Sequence, residues 1–514
     1  MGRFKKFLWL LLLPSLLMLF VNAGSKEEAK KEKVLRVALT ANPNSIETAT
    51  GDERNATNVG SQIFDSLVWI DDEGKFTPML AESWEIKNNA TEFIFHLRKG
   101  VKFHNGNPFN ADDVIFTWKR GTGENIKWRD AFTGIKSAEK IDDYTVRFTT
   151  EKPNAILLGR IADVWAILDK EYYEEVGGED GYLAKPIGTG PFMLKEWVKG
   201  DRIVLVKNPN YWWKGYPKVD KIIFRPIPEL STRVAAIQSG DIDIAIRLTS
   251  ENAEQLKGNP KIKVISYAKD RVYYIAFNNL TTGKGTPIEN KLVRQAMNWA
   301  VDVDSIIKSL FNGYANPITG FIVKGNLGYD PSIKPYGYDP EKAKKLLAEA
   351  GYPNGFKIKM AAPTGAYMHF EQVCQAIANY LKDVGIDVDL QFMDSGKYWD
   401  LEAKKQLPPL FGDSWSNAII DAYPRLLGAL GGWNASYSSW YDPKIDQMLQ
   451  QIVQTGNDKD RAKLYIKLQK YMLDNPPFIY LYQPVTFEAI NANVKNYKPR
   501  AAESYYLKGV TISD

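Results

Sequence analysis

Apolar and polar residues alternate along this chain with both strand and helix periods. Val34 to Ala41 (VLRVALTA) is an apolar run of strand length, closed by the turn signal Asn42-Pro43-Asn44. Glu92 to Leu97 alternates and is followed by Gly100 and Gly106, which predicts a second, β-rich region. Asp339 to Gly351 (DPEKAKKLLAEAG) carries a complete set of helix signals: Asp339 as N-cap, Pro340 as first helical residue and Gly351 as stop. Ala343, Leu346, Leu347 and Ala350 form one apolar stripe on that helix. Phe356, Ile358 and Met360 then alternate, a helix is expected from Phe370 to Asp383, and Val388, Leu390 and Phe392 alternate again. That order predicts a mainly parallel sheet covered by helices, hence an α/β fold. Leu464, Leu468, Tyr471 and Met472 mark a later amphipathic helix stopped by Pro476-Pro477, and Phe478 to Tyr482 reads as one strand. No internal repeat or low-complexity tract interrupts the pattern.

The first residues follow a different rule. A basic start (Arg3, Lys5, Lys6) runs into apolar Phe7 to Val21 and ends at Val21-Asn22-Ala23, the three-part order of a secretory leader. An uncleaved anchor is the alternative, but spanning a bilayer takes about 20 apolar residues, and this run has 15, broken by Pro14. The one cysteine, Cys374, lies far from the leader, so no lipid anchor is expected. Residues 1–23 are read as a cleaved signal and 24–33 as a charged linker, giving a periplasmic, non-lipidated protein.

The 514 residues carry 25 % charged and 44 % hydrophobic side chains, an ordinary globular composition with room for about three domains. Most of the net charge of +5 sits in the leader and linker, so nucleic-acid binding has no electrostatic footing. No phosphate-cradling glycine loop or Gly-x-Ser-x-Gly elbow appears. The close glycines of Pro186-Ile187-Gly188-Thr189-Gly190-Pro191 lack dinucleotide spacing. Three histidines leave little for a metal site, and His104, beside a turn, is expected to make a structural hydrogen bond. Asp112 and Asp113 read as a helix N-terminus, and Cys374 as a small core residue. No enzyme, cofactor or metal is expected. Trp415, Tyr423, Trp433, Tyr437, Trp440 and Tyr441 crowd into 27 residues without helical or strand period. They read either as rings lining a pocket or as the core of an irregular region.

Several ordered motifs then carry a resemblance. Leu80-Ala81-Glu82-Ser83-Trp84-Glu85, LRKGVKFHNGNPFNADDVIFTW (Leu97 to Trp118), PIGTGPF (Pro186 to Phe192), NPNYWW (Asn208 to Trp213) and IQSGDIDIA (Ile237 to Ala245) come first. NKLVRQAMNWAVD (Asn290 to Asp302) and YDPKIDQML (Tyr441 to Leu449) follow. From about Val34 to Lys508 the chain resembles the family 5 extracytoplasmic solute-binding proteins of ABC importers, the dipeptide, oligopeptide and nickel type. The resemblance implies a two-lobed periplasmic-binding-protein fold with an extra subdomain in lobe I and a ligand cleft between lobes. On it, 34–55 with 186–272 and 483–514 form lobe I, 56–185 its β-rich subdomain, and 273–482 lobe II. The lobes would close about crossings near Arg271 to Asn278 and Tyr480 to Val485. The partners implied are a peptide ligand, membrane permease subunits and, through them, cytoplasmic ATPases, the binding protein itself being a monomer. A sensor, chaperone or secreted hydrolase on the same fold is the other class of function.

The ligand-binding residues expected from the resemblance and the aromatic crowding together are Asn44, Tyr274, Tyr367, Trp415, Asp421, Tyr423 and Trp433. Peptide-binding members place an aspartate three residues after a tryptophan to pair with the ligand's ammonium. With Trp415 as that tryptophan, the position holds Ala418, and Asp421 is the nearest acid, unless it caps a helix from Ala422 to Leu430. Where dipeptide members keep an arginine for the carboxylate, this chain has Thr364-Gly365-Ala366-Tyr367. Frequency within the family makes a peptide the expected ligand; the absence of both charged anchors makes an oligosaccharide the alternative, and a nickel chelate is a more distant one.

Overall fold

The computed structural model describes residues 32–513, except 52–53, 72–73, 418, 420 and 436. The expected leader, most of the linker and Ala418 lie outside the described residues.

Two large sheets organise the chain. The first runs Ile262–Ala268, Tyr482–Asn491, Ile244–Leu248, Val34–Leu39, Lys221–Pro226, Arg202–Lys207 and Phe192–Val198, with Ala315–Pro317 paired to Tyr482–Asn491. Val34–Leu39 lies at its centre, parallel to both neighbours. A strand covered on both faces needs an unbroken apolar run, which explains VLRVAL. The second sheet runs Ile386–Asp394, Phe356–Thr364, Leu410–Ser416, Arg271–Phe277 and Phe478–Tyr480. It is mixed rather than mainly parallel. Phe356–Thr364 pairs in parallel on both sides, but Arg271–Phe277 is antiparallel to both its neighbours. The chain enters and leaves this lobe through Arg271–Phe277 and Phe478–Tyr480, so no helical crossover sets their direction. A third sheet, Ala81–Lys87, Glu92–Leu97, Thr145–Thr150 and Ile135–Asp142, is wholly antiparallel and forms the expected β-rich region.

Each sheet has its own core. Residues between Val272 and Tyr482 pack around the second sheet, and Phe93, Phe95, Phe148 and Trp165 around the third. Leu35, Val37 and Phe224 lie in a core of the first sheet that also takes Val59 and Ile63 from the helix Arg54–Ile63. That helix thus packs on the first sheet, beyond the expected boundary at 55/56.

Local signals act as the pattern requires. Asp339 accepts from the Lys342 N–H at 2.9 Å and caps Pro340–Glu349. Gly351 adopts φ +93°, the left-handed conformation that ends a helix cheaply. The helix Phe370–Asp383 buries Cys374. Asn110 and Asp113 form a capping box on Ala111–Gly121. The run Phe478 to Tyr482 is not one strand: Leu481 separates Phe478–Tyr480 from Tyr482–Asn491, which join different sheets. Lys269 and Asp270 make the other passage, from Ile262–Ala268 to Arg271–Phe277. The two passages are stitched together. The Lys269 N–H donates to Pro484 O at 2.9 Å, and Gln483 Nε2 donates to Lys269 O at 2.9 Å.

Candidate functional site

A cavity of about 430 Å³ lies between the two large sheets. One wall comes from Arg54, Asn58, Trp69, Asp163 and residues 498–502, 504 and 505; the facing wall comes from Asp270, Lys324, Asn326 and Ile419. Asp270, part of the 269–270 passage, places the cavity beside that passage.

Buried polar bonds hold the walls. Arg425, fully buried, donates to Asp270 Oδ1 at 2.6 Å and to Phe321 O at 2.7 Å. Asn326 and Asn417 donate to Asp270 Oδ2 at 3.0 and 3.1 Å. Arg54 Nη1 stands 3.4 Å from Asp163 Oδ1. Arg500 donates to Ile70 O and Asp71 O at 2.5 and 2.8 Å and lies 4.6 Å over the Trp69 ring, which stacks on Tyr506 at 4.3 Å. Asn58 on the helix Arg54–Ile63 fastens the 498–505 segment, donating to Glu503 O at 2.9 Å and accepting from the Tyr505 N–H at 3.0 Å. Glu503 pairs with Arg247 at 2.9 Å and Lys269 at 3.0 Å. Burial alone would raise its carboxyl, but the Lys269 and Arg247 charges outweigh that and hold it at about 2. The cavity thus presents carboxylates and cations together on rigidly bonded walls. Among the described residues, no group of three or more His, Cys, Asp or Glu side chains is placed to hold a metal ion.

None of the residues expected from the sequence lines this cavity. Tyr274 and Tyr367 are brought together inside the second lobe, where their hydroxyls donate to Asp413 at 3.0 and 3.2 Å. Burial pushes the Asp413 carboxyl and the adjacent Glu402 carboxyl upward. Asp421 and Tyr423 also meet, the Tyr423 N–H donating to Asp421 Oδ1 at 3.0 Å. Asp421 is 5 % exposed and already engaged: Tyr465 OH donates to it and Arg461 Nη2 lies 3.1 Å from Oδ2. It is an internal counter-ion outside the cavity lining. Trp415 is half-buried against Gly428, with the Tyr437 ring 6.5 Å away. Trp433 is 64 % exposed, and Asn44 is exposed in the turn after the first strand. The aromatic crowd is split between core (Tyr423, Trp440) and surface (Trp433, Tyr437, Tyr441) rather than gathered in a pocket.

The side chains that do line the cavity come from segments with no shared motif. Trp69 sits in a three-residue strand and Arg500 in an irregular stretch after the last long strand, so periodicity gives them no mark. His104 behaves as expected of a structural group. Its Nε2 lies 3.0 Å from Gly190 O, and burial lowers it to about 4, that bond opposing in part.

Two lobes of α/β structure joined by paired passages, with a charged cavity between them, define a two-lobed binding protein. The family profile described as "Bacterial extracellular solute-binding proteins, family 5 Middle" matches residues 75–437. The chain belongs to this family. Heme-binding protein A of Haemophilus influenzae is 31 % identical over 470 residues, covering 85 % of this chain and 84 % of that one. The glutathione-binding protein GsiB of Escherichia coli K12 is 30 % identical over 472 residues, covering 90 % of each. Among solved structures, the periplasmic binding protein DppA of Helicobacter pylori, in complex with the peptide STSA, superposes with a TM-score of 0.76 at 29 % identity, covering 94 % of this chain and 98 % of that one. HbpA2 of Haemophilus parasuis superposes with a TM-score of 0.85 at 26 % identity, covering 93 % and 100 %. The protein is a solute-binding component of an ABC importer and not an enzyme. Among the described residues, no helix is long and apolar enough to cross a membrane.

Proposed function

We propose that the protein captures short peptides in the cavity between its lobes and delivers them to an ABC permease in the inner membrane. The observation that carries this reading is the presence of both charge signs on the cavity walls, with Asp270 and Lys324 facing Arg54 and Asp163. A peptide is zwitterionic, and burying either terminus without a counter-charge is costly. The relatives named for glutathione and for a bound peptide support the same ligand class. An oligosaccharide is the second reading, supported by the Trp69 ring on the cavity wall. The protein acts as a monomer in the periplasm, with its leader removed after Ala23 and no lipid attached.

Ligand retained through gentle purification from the periplasm, released and read by mass spectrometry, tests the reading. Calorimetric titration with free peptides, N-acetylated peptides and gluco- and manno-oligosaccharides extends it. Tight binding of free peptides is expected; binding of sugars with no peptide binding overturns it. The intact mass of the exported protein checks the cleavage site.

A further inference from the structure

A second cavity, of about 50 Å³, adjoins the first. Thr48, Ser61, Trp69, Ala162 and Asp163 wall both. Its lining includes two buried charged side chains, Asp65 and Lys508, each 3 % exposed.

Asp65 is satisfied. The indole N–H of Trp212 donates to it at 2.8 Å, the Thr189 hydroxyl at 3.1 Å and the Tyr211 hydroxyl at 3.2 Å. Lys508 is not. Its ammonium reaches Tyr211 OH at 3.5 Å and Met79 Sδ at 3.7 Å, and lies 3.8 Å from the Trp213 ring centre and 4.6 Å from that of Tyr506. The rings and the thioether accept weakly, and among the described residues no carboxylate stands within ion-pair distance of it. A buried ammonium with idle donors is costly unless an acceptor reaches it. Burial lowers it to about 8, with Asp65 opposing in part.

The charges select what fits. A ligand carboxylate would meet the Asp65 carboxylate beside the ammonium, Asp163 being already paired with Arg54, and a ligand cation would meet Lys508. A neutral acceptor meets neither penalty. One water takes roughly 10–15 Å³ of such space, so the cavity holds a group of about three or four heavy atoms.

We propose that this cavity is a subsite of the ligand chamber, lined by Lys508, that takes a neutral group presenting a carbonyl oxygen. The proposal rests on the cleft being the ligand chamber, but not on the ligand being a peptide.

The protein as exported, labelled with ¹³C and ¹⁵N in its lysines, is titrated with acetamide, acetate and methylammonium. The Lys508 Nζ and Cε signals are followed, assigned by their loss in Lys508→Met, or in Lys508→Arg should the first variant not fold. Acetamide is expected to shift the Lys508 signals saturably, at about tenfold lower concentration than either charged probe. An equal or stronger response to acetate or methylammonium overturns the neutral assignment, and no saturable response to acetamide overturns the subsite. A response to acetamide in a protein that binds no peptide leaves the subsite standing and removes the peptide reading.

Discussion

The buried guanidinium of Arg425 lies 2.6 Å from the carboxylate of Asp270, at the point where the chain passes from the first large sheet into the second. One residue of the passage is thereby tied to a helix of the second lobe, Tyr423–Leu430, and also forms part of the cavity wall. Arg425→Met leaves Asp270 with two amide donors and no counter-charge. A loss of about 3–5 kcal/mol is expected in chemical denaturation, since removing one partner strands the other. Asp270→Asn added to Arg425→Met is expected to return much of that loss; additive losses would show that the two groups do not depend on each other.

Asp421 is bonded within the second lobe to Arg461 and Tyr465. Asp421→Asn therefore lowers the unfolding free energy by about 3 kcal/mol but changes peptide affinity less than about twofold. Calorimetry with free and N-acetylated peptides checks this. A selective loss of the free peptides would return Asp421 to the ligand.

Glu503 titrates at about 2 in the folded protein, below its ordinary value, under the opposing influences of burial and the Lys269 and Arg247 charges. A depressed carboxyl stabilises above its unfolded value and loses that contribution as pH falls toward the folded one. Glu503→Gln is expected to cost about 3 kcal/mol at pH 7, and the gap to the wild type should close as pH falls from about 4.5 to 2. Denaturation at both ends of that range is the measurement, and an equal gap at each end would refute the linkage.

Trp69 lines the cavity and Trp415 does not. Trp69→Ala is expected to weaken binding by about 2 kcal/mol for a peptide the wild type holds. Trp415→Ala should leave affinity in place while lowering stability by about 2 kcal/mol. Paired titrations and melts separate the two effects, and a reversed order would move the chamber toward residues 415–441.

Ligand is expected to draw the lobes together about 269–270 and 481, the two stitched passages. Small-angle scattering with and without ligand should show a smaller radius of gyration at saturation. No change would count against closure in a protein that starts open.

Much of the fold is legible in the sequence because its signals are local. The Asp339 cap, the Gly351 stop and the bounds of Phe370–Asp383 each depend on residues a few positions apart. The split of Phe478 to Tyr482 is not local. An apolar run looks the same whether it joins one sheet or two, and the break at Leu481 depends on pairing with strands more than 150 residues earlier. The cavity is harder still. Arg54, Trp69, Asp270, Lys324 and Arg500 sit in five separate segments, and only the tertiary fold assembles them. The crowded aromatics mislead because ring content alone does not separate Trp440, 3 % exposed, from Trp433, 64 % exposed. Asp421 misleads for a related reason: its partners stand on Asp458–Asp474, about forty residues on, where no spacing rule connects them.

The order of strands in the first large sheet also sets a timetable for biosynthesis. Its central strand, Val34–Leu39, pairs with Ile244–Leu248, which in turn pairs with Tyr482–Asn491. Every strand of the second sheet, by contrast, falls between Arg271 and Tyr480. At about 5–20 residues per second, the opening strand waits roughly 20–90 seconds for its outer partner to be made. The second lobe can be completed first, and truncation of the last few dozen residues would spare it while leaving the first lobe's sheet open at its edge.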